Sequence, residues 1–118
     1  MERKTSSPIF VKTYDFLLWL LPRTAKFPKA RRHTLTNRLE GALLDFQGAA
    51  IRANRLRDAA RLTALGEAQA HLDQTRFLVR LATDLGHLSG RQYAFASERL
   101  AEIGRLLGGW QKATARAH

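Results

Sequence analysis

The side chains in this chain that could do chemistry are few, and most of them are cations. Four histidines, His33, His71, His87 and His118, fall on different segments. Two of them have a carboxylate within one helical turn, Glu67 before His71 at i, i+4 and Asp84 before His87 at i, i+3. A di-iron bundle needs Glu-x-x-His on two helices and an inward Glu on each of the other two. A single Asp-x-x-His without a second copy reads as a surface pair or cap, so no metal and no cofactor is expected. Glu98 and Glu102 stand one turn apart beside Arg99 and Arg105, the pattern of a solvated helix face. No Ser or Thr has an identifiable base beside it, and no phosphate-cradling glycine motif occurs. Cys is absent, which excludes disulfides, thiolate nucleophiles and Cys-ligated zinc. An enzyme is therefore not expected.

The cations are the stronger signal. Twenty Lys and Arg oppose ten Asp and Glu, for a formal charge of +10 and a pI near 11.3. Fifteen of the twenty are Arg, whose planar fork bonds phosphate bidentately. Such an excess points to a polyanion partner, most often nucleic acid. It is uneven: residues 1–61 hold 13 cations and 5 carboxylates, residues 62–118 hold 7 and 5. Arg23, Lys26, Lys29, Arg31, Arg32 and Arg38 surround the first connection between predicted helices. Arg52, Arg55, Arg57 and Arg61 surround the second, opposed there only by Asp58. Cations favour helix C-termini, which accounts for Lys26, Arg52 and Arg55, but the dipole disfavours them at the start of helix two. Phosphate binding explains that placement better. In an antiparallel arrangement the two connections lie at opposite ends of helix two, so these are two patches. Arg76 and Arg80 form a third pair, one turn apart. They read either as part of an intrahelical ladder with Asp73 and Asp84 or as the lining of a groove or pore, and both readings stand.

The elements that must position these side chains are helices. Eighteen Ala and nineteen Leu stand against two Val and three Ile, which predicts an all-α fold. At 118 residues the chain is large enough for one core: a polar, disordered lead over 1–7, a bundle over 8–112 and a flexible tail over 113–118. Ser7-Pro8 predicts a helix start, and helix one runs to about Phe27 with a kink at Pro22. Helix two, about Lys29 to Arg55, carries a heptad seam of Leu35, Leu39, Ala42, Phe46, Ala49, Ala53 and Leu56. Helix three follows with Asp58 as N-cap and stops at Gly86. Its first seam is Leu65, Ala68, Leu72, Thr75, Val79 and Ala82, and its second is Leu78, Leu81, Leu85 and Leu88. Ser89-x-x-Gln92 has capping-box spacing and opens helix four, whose stripe is Tyr93, Ala96, Leu100, Ile103, Leu107 and Trp110. Gly108-Gly109 allows either a close backbone approach or fraying. Four amphipathic helices with short links predict an antiparallel four-helix bundle.

The run Phe16-Leu17-Leu18-Trp19-Leu20-Leu21 covers the whole circumference of a helix, so one buried face cannot account for it. Phe16, Leu17, Trp19 and Leu20, with Leu78 and Leu81 from helix three, are accordingly predicted to meet a neighbouring subunit. The aromatics are few and read as core, which argues against a base-stacking platform. No segment has the roughly 20 apolar residues of a membrane span. The polar N-terminus is not a signal peptide, so a cytoplasmic location without a membrane partner is expected.

Several stretches taken together resemble one family. I-F-V-K-T-Y-D-F-L-L-W-L-L-P-R-T-x-K-F-P-K from Ile9, Phe46 with A-N-R at 53–55, R-F-L-V-R-L-A-x-D-L-G from Arg76 and A-E-I-G-R-L-L-G-G-W from Ala101 are similar to the accessory variability determinant (Avd) proteins of diversity-generating retroelements. The resemblance spans about residues 8–112, in a broader four-helix group that includes proteins encoded in intervening sequences of 23S ribosomal RNA genes. It implies a homopentameric barrel of four-helix protomers with a basic surface. It further implies binding to the retroelement's reverse transcriptase and to template RNA or cDNA, in support of mutagenic retrohoming. Arg76 and Arg80 match the family's R-F-x-x-R motif, and a basic-surface role carries over to them. Five copies at +10 each would carry +50, which calls for a polyanion or counterions. The alternative is an intervening-sequence-like four-helix scaffold with no retroelement role.

Overall fold

The computed structural model describes residues 7–117, and every regular element among them is helical. Four α-helices form the protomer: α1 (Pro8–Thr24), α2 (Asn37–Arg55), α3 (Asp58–Asp84) and α4 (Gly90–Ala117). The predicted lead lies, except for Ser7, outside the described residues, as does His118. Ser7 occupies the N-cap position and Pro8 the first turn, as expected. The cap works through the Ser7 carbonyl, which accepts the N–H groups of Phe10 (3.1 Å) and Val11 (3.3 Å), and not through the hydroxyl.

The first connection departs most from expectation. Helix α1 ends at Thr24, not near Phe27, because Pro22 removes a backbone donor one turn from the end. The chain then tightens into i→i−3 bonds from Lys26 to Arg23 (3.1 Å) and from Phe27 to Thr24 (3.0 Å). Past Pro28, the predicted start of helix two is a 3₁₀ turn at Lys29–Arg31 and a wide π turn at Arg32–Thr36, with α winding only from Asn37. This winding brings both Leu35 and Leu39 into the core while Arg31, Arg32 and Arg38 stay exposed. The Thr24 hydroxyl donates to the Glu40 carboxylate (2.5 Å), pinning the end of α1 to the first turn of α2.

Asp58 does not cap α3 with its side chain. It takes the left-handed conformation (φ +53°), which Asp tolerates better than most residues, and so turns the chain from α2 into α3. Helix α3 stops as predicted: Gly86 adopts φ +84°, His87 N–H reaches the Ala82 carbonyl (2.8 Å) and Gly86 N–H the Thr83 carbonyl (2.9 Å). The capping box also forms. Ser89 Oγ accepts from Gln92 N–H (3.0 Å), and Gln92 Oε1 accepts from Ser89 N–H (2.8 Å). We expect Ser89→Ala to cost about 1 kcal/mol in urea denaturation, the usual loss at an N-cap.

Helix α4 continues to Ala117, past Ala113 where a loose tail was predicted. Thr114 is buried, with its hydroxyl on the Trp110 carbonyl (2.8 Å). Gly108 and Gly109 neither fray the helix nor meet another part of the protomer, since a Cβ added at either has nothing within 4 Å.

Each helix runs antiparallel to its neighbours in a closed ring. Phe10 meets Trp110 and Trp19 meets Phe95 between α1 and α4, while Arg52 meets Glu67 between α2 and α3. Gln111 reaches Leu65 and Arg76 reaches Leu100 between α3 and α4. The heptad positions of α2 from Leu35 to Ala53 and the whole first seam of α3 are buried, so the period-3.5 reading locates the core correctly. Leu56, the last position of that seam, lies just past the end of α2 and is the exception, being exposed. Among the described residues no helix is long and apolar enough to cross a membrane.

Candidate nucleic-acid interface

Antiparallel topology collects the connections at the two tips of a body measuring 45 × 27 × 22 Å. One pole holds the α1–α2 and α3–α4 connections. Phe27 from the first packs against His87 from the second, with ring centroids 5.7 Å apart. Lys26, Lys29, Arg31, Arg32 and Arg38 are all exposed here, and the ion pairs of the described residues lie elsewhere. Glu40, the nearest carboxylate in sequence, is held by Thr24. A recess of about 340 Å³ opens at this pole, lined by Thr24, Phe27, Lys29, Arg32, Thr36 and Asn37.

The opposite pole holds the α2–α3 connection and the end of α4. Arg55 and Arg57 are exposed there. A second recess, of about 420 Å³, is lined by Arg57, Asp58, Arg61, Trp110 and Thr114, among others. The structure adds Arg91 to the first pole and Lys112 and Arg116 to the second. Sequence reading passed over these three because each is isolated along the chain. Only the antiparallel return of α4 brings them beside the clusters.

Five of the predicted phosphate binders are engaged inside the protomer. Arg23 donates to the Trp19 carbonyl (2.7 Å) and lies over the Trp19 ring (4.4 Å). Arg61 donates to the carbonyls of Ala53 (2.9 Å) and Asn54 (3.4 Å) and so closes the end of α2. Arg52 pairs with Glu67 at 2.7 Å. Arg80 stays exposed with Asp84 at 3.8 Å. Arg76 turns away from that ladder and donates to the Leu100 carbonyl of α4 (3.1 Å), while Asp73 accepts from Gln69 (3.0 Å). The two arginines therefore do not act as one pair.

Gly104 makes the Arg76 seat possible. A Cβ added at Gly104 would stand 2.7 Å from Arg76 Nη2. Gly104→Ala should gain about 1 kcal/mol of helix propensity and lose a similar amount by evicting the guanidinium. We expect near-zero net change in the native background and about 1 kcal/mol of stabilisation in an Arg76→Ala background, read by urea denaturation. Equal gains in both would show that Arg76 gives way without cost.

Four of the six predicted subunit contacts need correction. Phe16, Leu17, Leu20 and Leu78 lie inside the protomer's own core, and Trp19 and Leu81 are half-buried against it. The apolar run of α1 is covered from two sides by α2 and α4, and what remains outward is Leu18, 57% exposed, with Leu21 and Tyr14. Leu44 and Ile51 are the exposed apolar residues of α2. Phe77, 63% exposed, also shows that the aromatics are not all core.

No group of three or more His, Asp or Glu among the described residues is arranged to hold a metal ion. The chain matches the family model for bAvd-like proteins over residues 9–114, nearly its whole length. It belongs to the bAvd-like family. The matched span covers the four helices except the first residue of α1 and the last three of α4. Comparison with curated proteins gives no match. As a bAvd-like protein, the chain pairs the expected four-helix architecture with free cations concentrated at its tips.

Proposed function

We propose that this bAvd-like chain is a non-enzymatic accessory protein of a diversity-generating retroelement. In this reading it binds the reverse transcriptase and template RNA or cDNA and supports mutagenic retrohoming. The observation that carries the proposal is the family match across all four helices. The unpaired cations at both tips, with recesses beside them, support a phosphate-directed surface. No known sequence-reading motif occurs in the chain, so contacts to phosphate dominate and sequence preference is weak.

The same reading includes assembly into a homo-oligomer, five copies by family resemblance. The exposed stripe Tyr14-Leu18-Leu21 on α1 and Leu44 with Ile51 on α2 supply an apolar surface for it. The register set by Thr24 and Glu40 places Leu21 and Leu44 each one turn further along the same helix pair.

Co-expression with the reverse transcriptase encoded beside the gene tests the proposal. The expected result is co-purification, and template-dependent cDNA synthesis that falls when the chain is left out. A polymerase that neither binds the chain nor changes its output with it would defeat the reading. Light scattering tests assembly on the same sample: the native chain is expected to be an oligomer and Leu18→Glu a smaller species.

A further inference from the structure

The free cations sit at the two tips of the protomer, and the body between them carries the opposite balance. The first pole, residues 23–40 and 84–91, has seven cations against Glu40 and Asp84, of which Glu40 is held by Thr24. The second pole, residues 52–61 and 110–117, has six cations against Asp58 alone, of which Arg52 is paired with Glu67 and Arg61 is held by the Ala53 and Asn54 carbonyls. The remaining described residues form a waist with five cations and six carboxylates. Three of those five cations are committed to ion pairs, Lys12 to Glu102, Arg99 to Glu98 and Glu102, and Arg80 to Asp84, and Arg76 is bound to the Leu100 carbonyl. Along α2 the contrast is sharp: between Gly41 and Ile51 there is Asp45 and no cation.

Two consequences follow from electrostatics. A phosphate backbone lying lengthwise would gain at both tips but cross a waist with more carboxylates than cations, whereas one lying across a tip meets a large excess of cations. The long axis is 45 Å, several times the Debye length of about 8 Å at physiological salt, so occupation of one pole leaves the field of the other intact. Each pole also has its own cation-lined recess.

We propose that each protomer holds two separate stretches of phosphodiester backbone, one at each pole, and thereby bridges them. The inference rests on the nucleic-acid reading given under the proposed function and goes beyond it. Binding a template is one activity, and holding two strands or two parts of one folded RNA near each other is another.

The test uses two DNA duplexes of about 10 base pairs, each roughly 34 Å long and so shorter than the protomer. One is biotinylated and the other fluorescent, and the full chain is added to both over streptavidin beads at low salt. Retention of the fluorescent duplex only when the protein is present is the expected result. Two variants remove one pole each: Lys29→Ala with Arg31→Ala and Arg32→Ala, and Arg55→Ala with Arg57→Ala and Lys112→Ala. All six side chains are exposed and outside the ion pairs of the described residues, and circular dichroism verifies the helices. Each variant should still bind a single duplex by anisotropy yet retain about tenfold less of the second duplex. Retention undiminished in either variant would overturn the inference, because copies of one pole in an assembly would then do the bridging. So would a native chain that binds the biotinylated duplex and never captures the other. A native chain that binds neither duplex nor an RNA of similar length overturns the nucleic-acid reading itself, and the bridging with it.

Discussion

Raising NaCl from about 50 to about 200 mM should weaken binding of this chain to duplex DNA by about 10³-fold. The first pole presents Lys26, Lys29, Arg31, Arg32, Arg38 and Arg91, all exposed and outside the ion pairs of the described residues. Each phosphate contact releases condensed counterions, so six contacts give a log–log slope of about −5 on duplex and about −4 on a single strand. The second pole acts in the same direction. Fluorescence anisotropy across a salt series measures the slope directly. The Lys29→Ala, Arg31→Ala, Arg32→Ala variant should flatten it when the second pole is also neutralised, and do so equally for unrelated sequences, because phosphate contacts carry no base information. Arg61→Ala should leave the slope nearly unchanged and act on stability, since its guanidinium is already held by the Ala53 and Asn54 carbonyls. A slope shallower than about −2 would mean that the exposed cations are not the binding surface.

Phe46→Ala should cost about 3–5 kcal/mol of folding free energy, a large share of the 5–15 kcal/mol typical of a domain. Phe46 is fully buried on α2, and the core positions that follow it on that helix are Ala49, Ala50 and Ala53. Alanine has no rotamers with which to fill the space a lost ring leaves, so the cavity cannot collapse without moving a helix. Thermal and urea denaturation should both register the loss, with a fall in Tm on the order of 15 °C. Phe77→Ala is the control. The same ring at an exposed position of α3 should change stability by less than about 0.5 kcal/mol in an isolated protomer. Similar costs at both sites would contradict the core assignment.

The contrast between these two phenylalanines illustrates what a single chain of letters can carry. Phe46 was readable because its neighbours at three- and four-residue steps are apolar for six turns, and such a stripe has one place to go. The Ser89–Gln92 box and the Gly86 stop were readable for a similar reason: both depend on groups within a few residues of each other. Helix α1 was readable only in part. Its apolar run demanded cover on more than one side, but whether that cover came from a second chain or from α2 and α4 depends on how far those helices wrap around it. They bury Phe16, Leu17 and Leu20 within the protomer.

Local chemistry in the sequence determined the helical class, the number of helices, most of their ends, the core seams and the identity of the basic clusters. The family could be recognised from the same stretches. Tertiary structure decided which cations are free. Arg52, Arg61 and Arg76 carry the same charge as Arg31 or Arg55, but a carboxylate and carbonyls on other helices have claimed them. It also decided that Arg91, Lys112 and Arg116 belong with the clusters, because the return of α4 places them at the tips. A guanidinium's availability depends on the acceptors within a few ångströms of it, and those are set by packing between helices, which local sequence pattern does not encode.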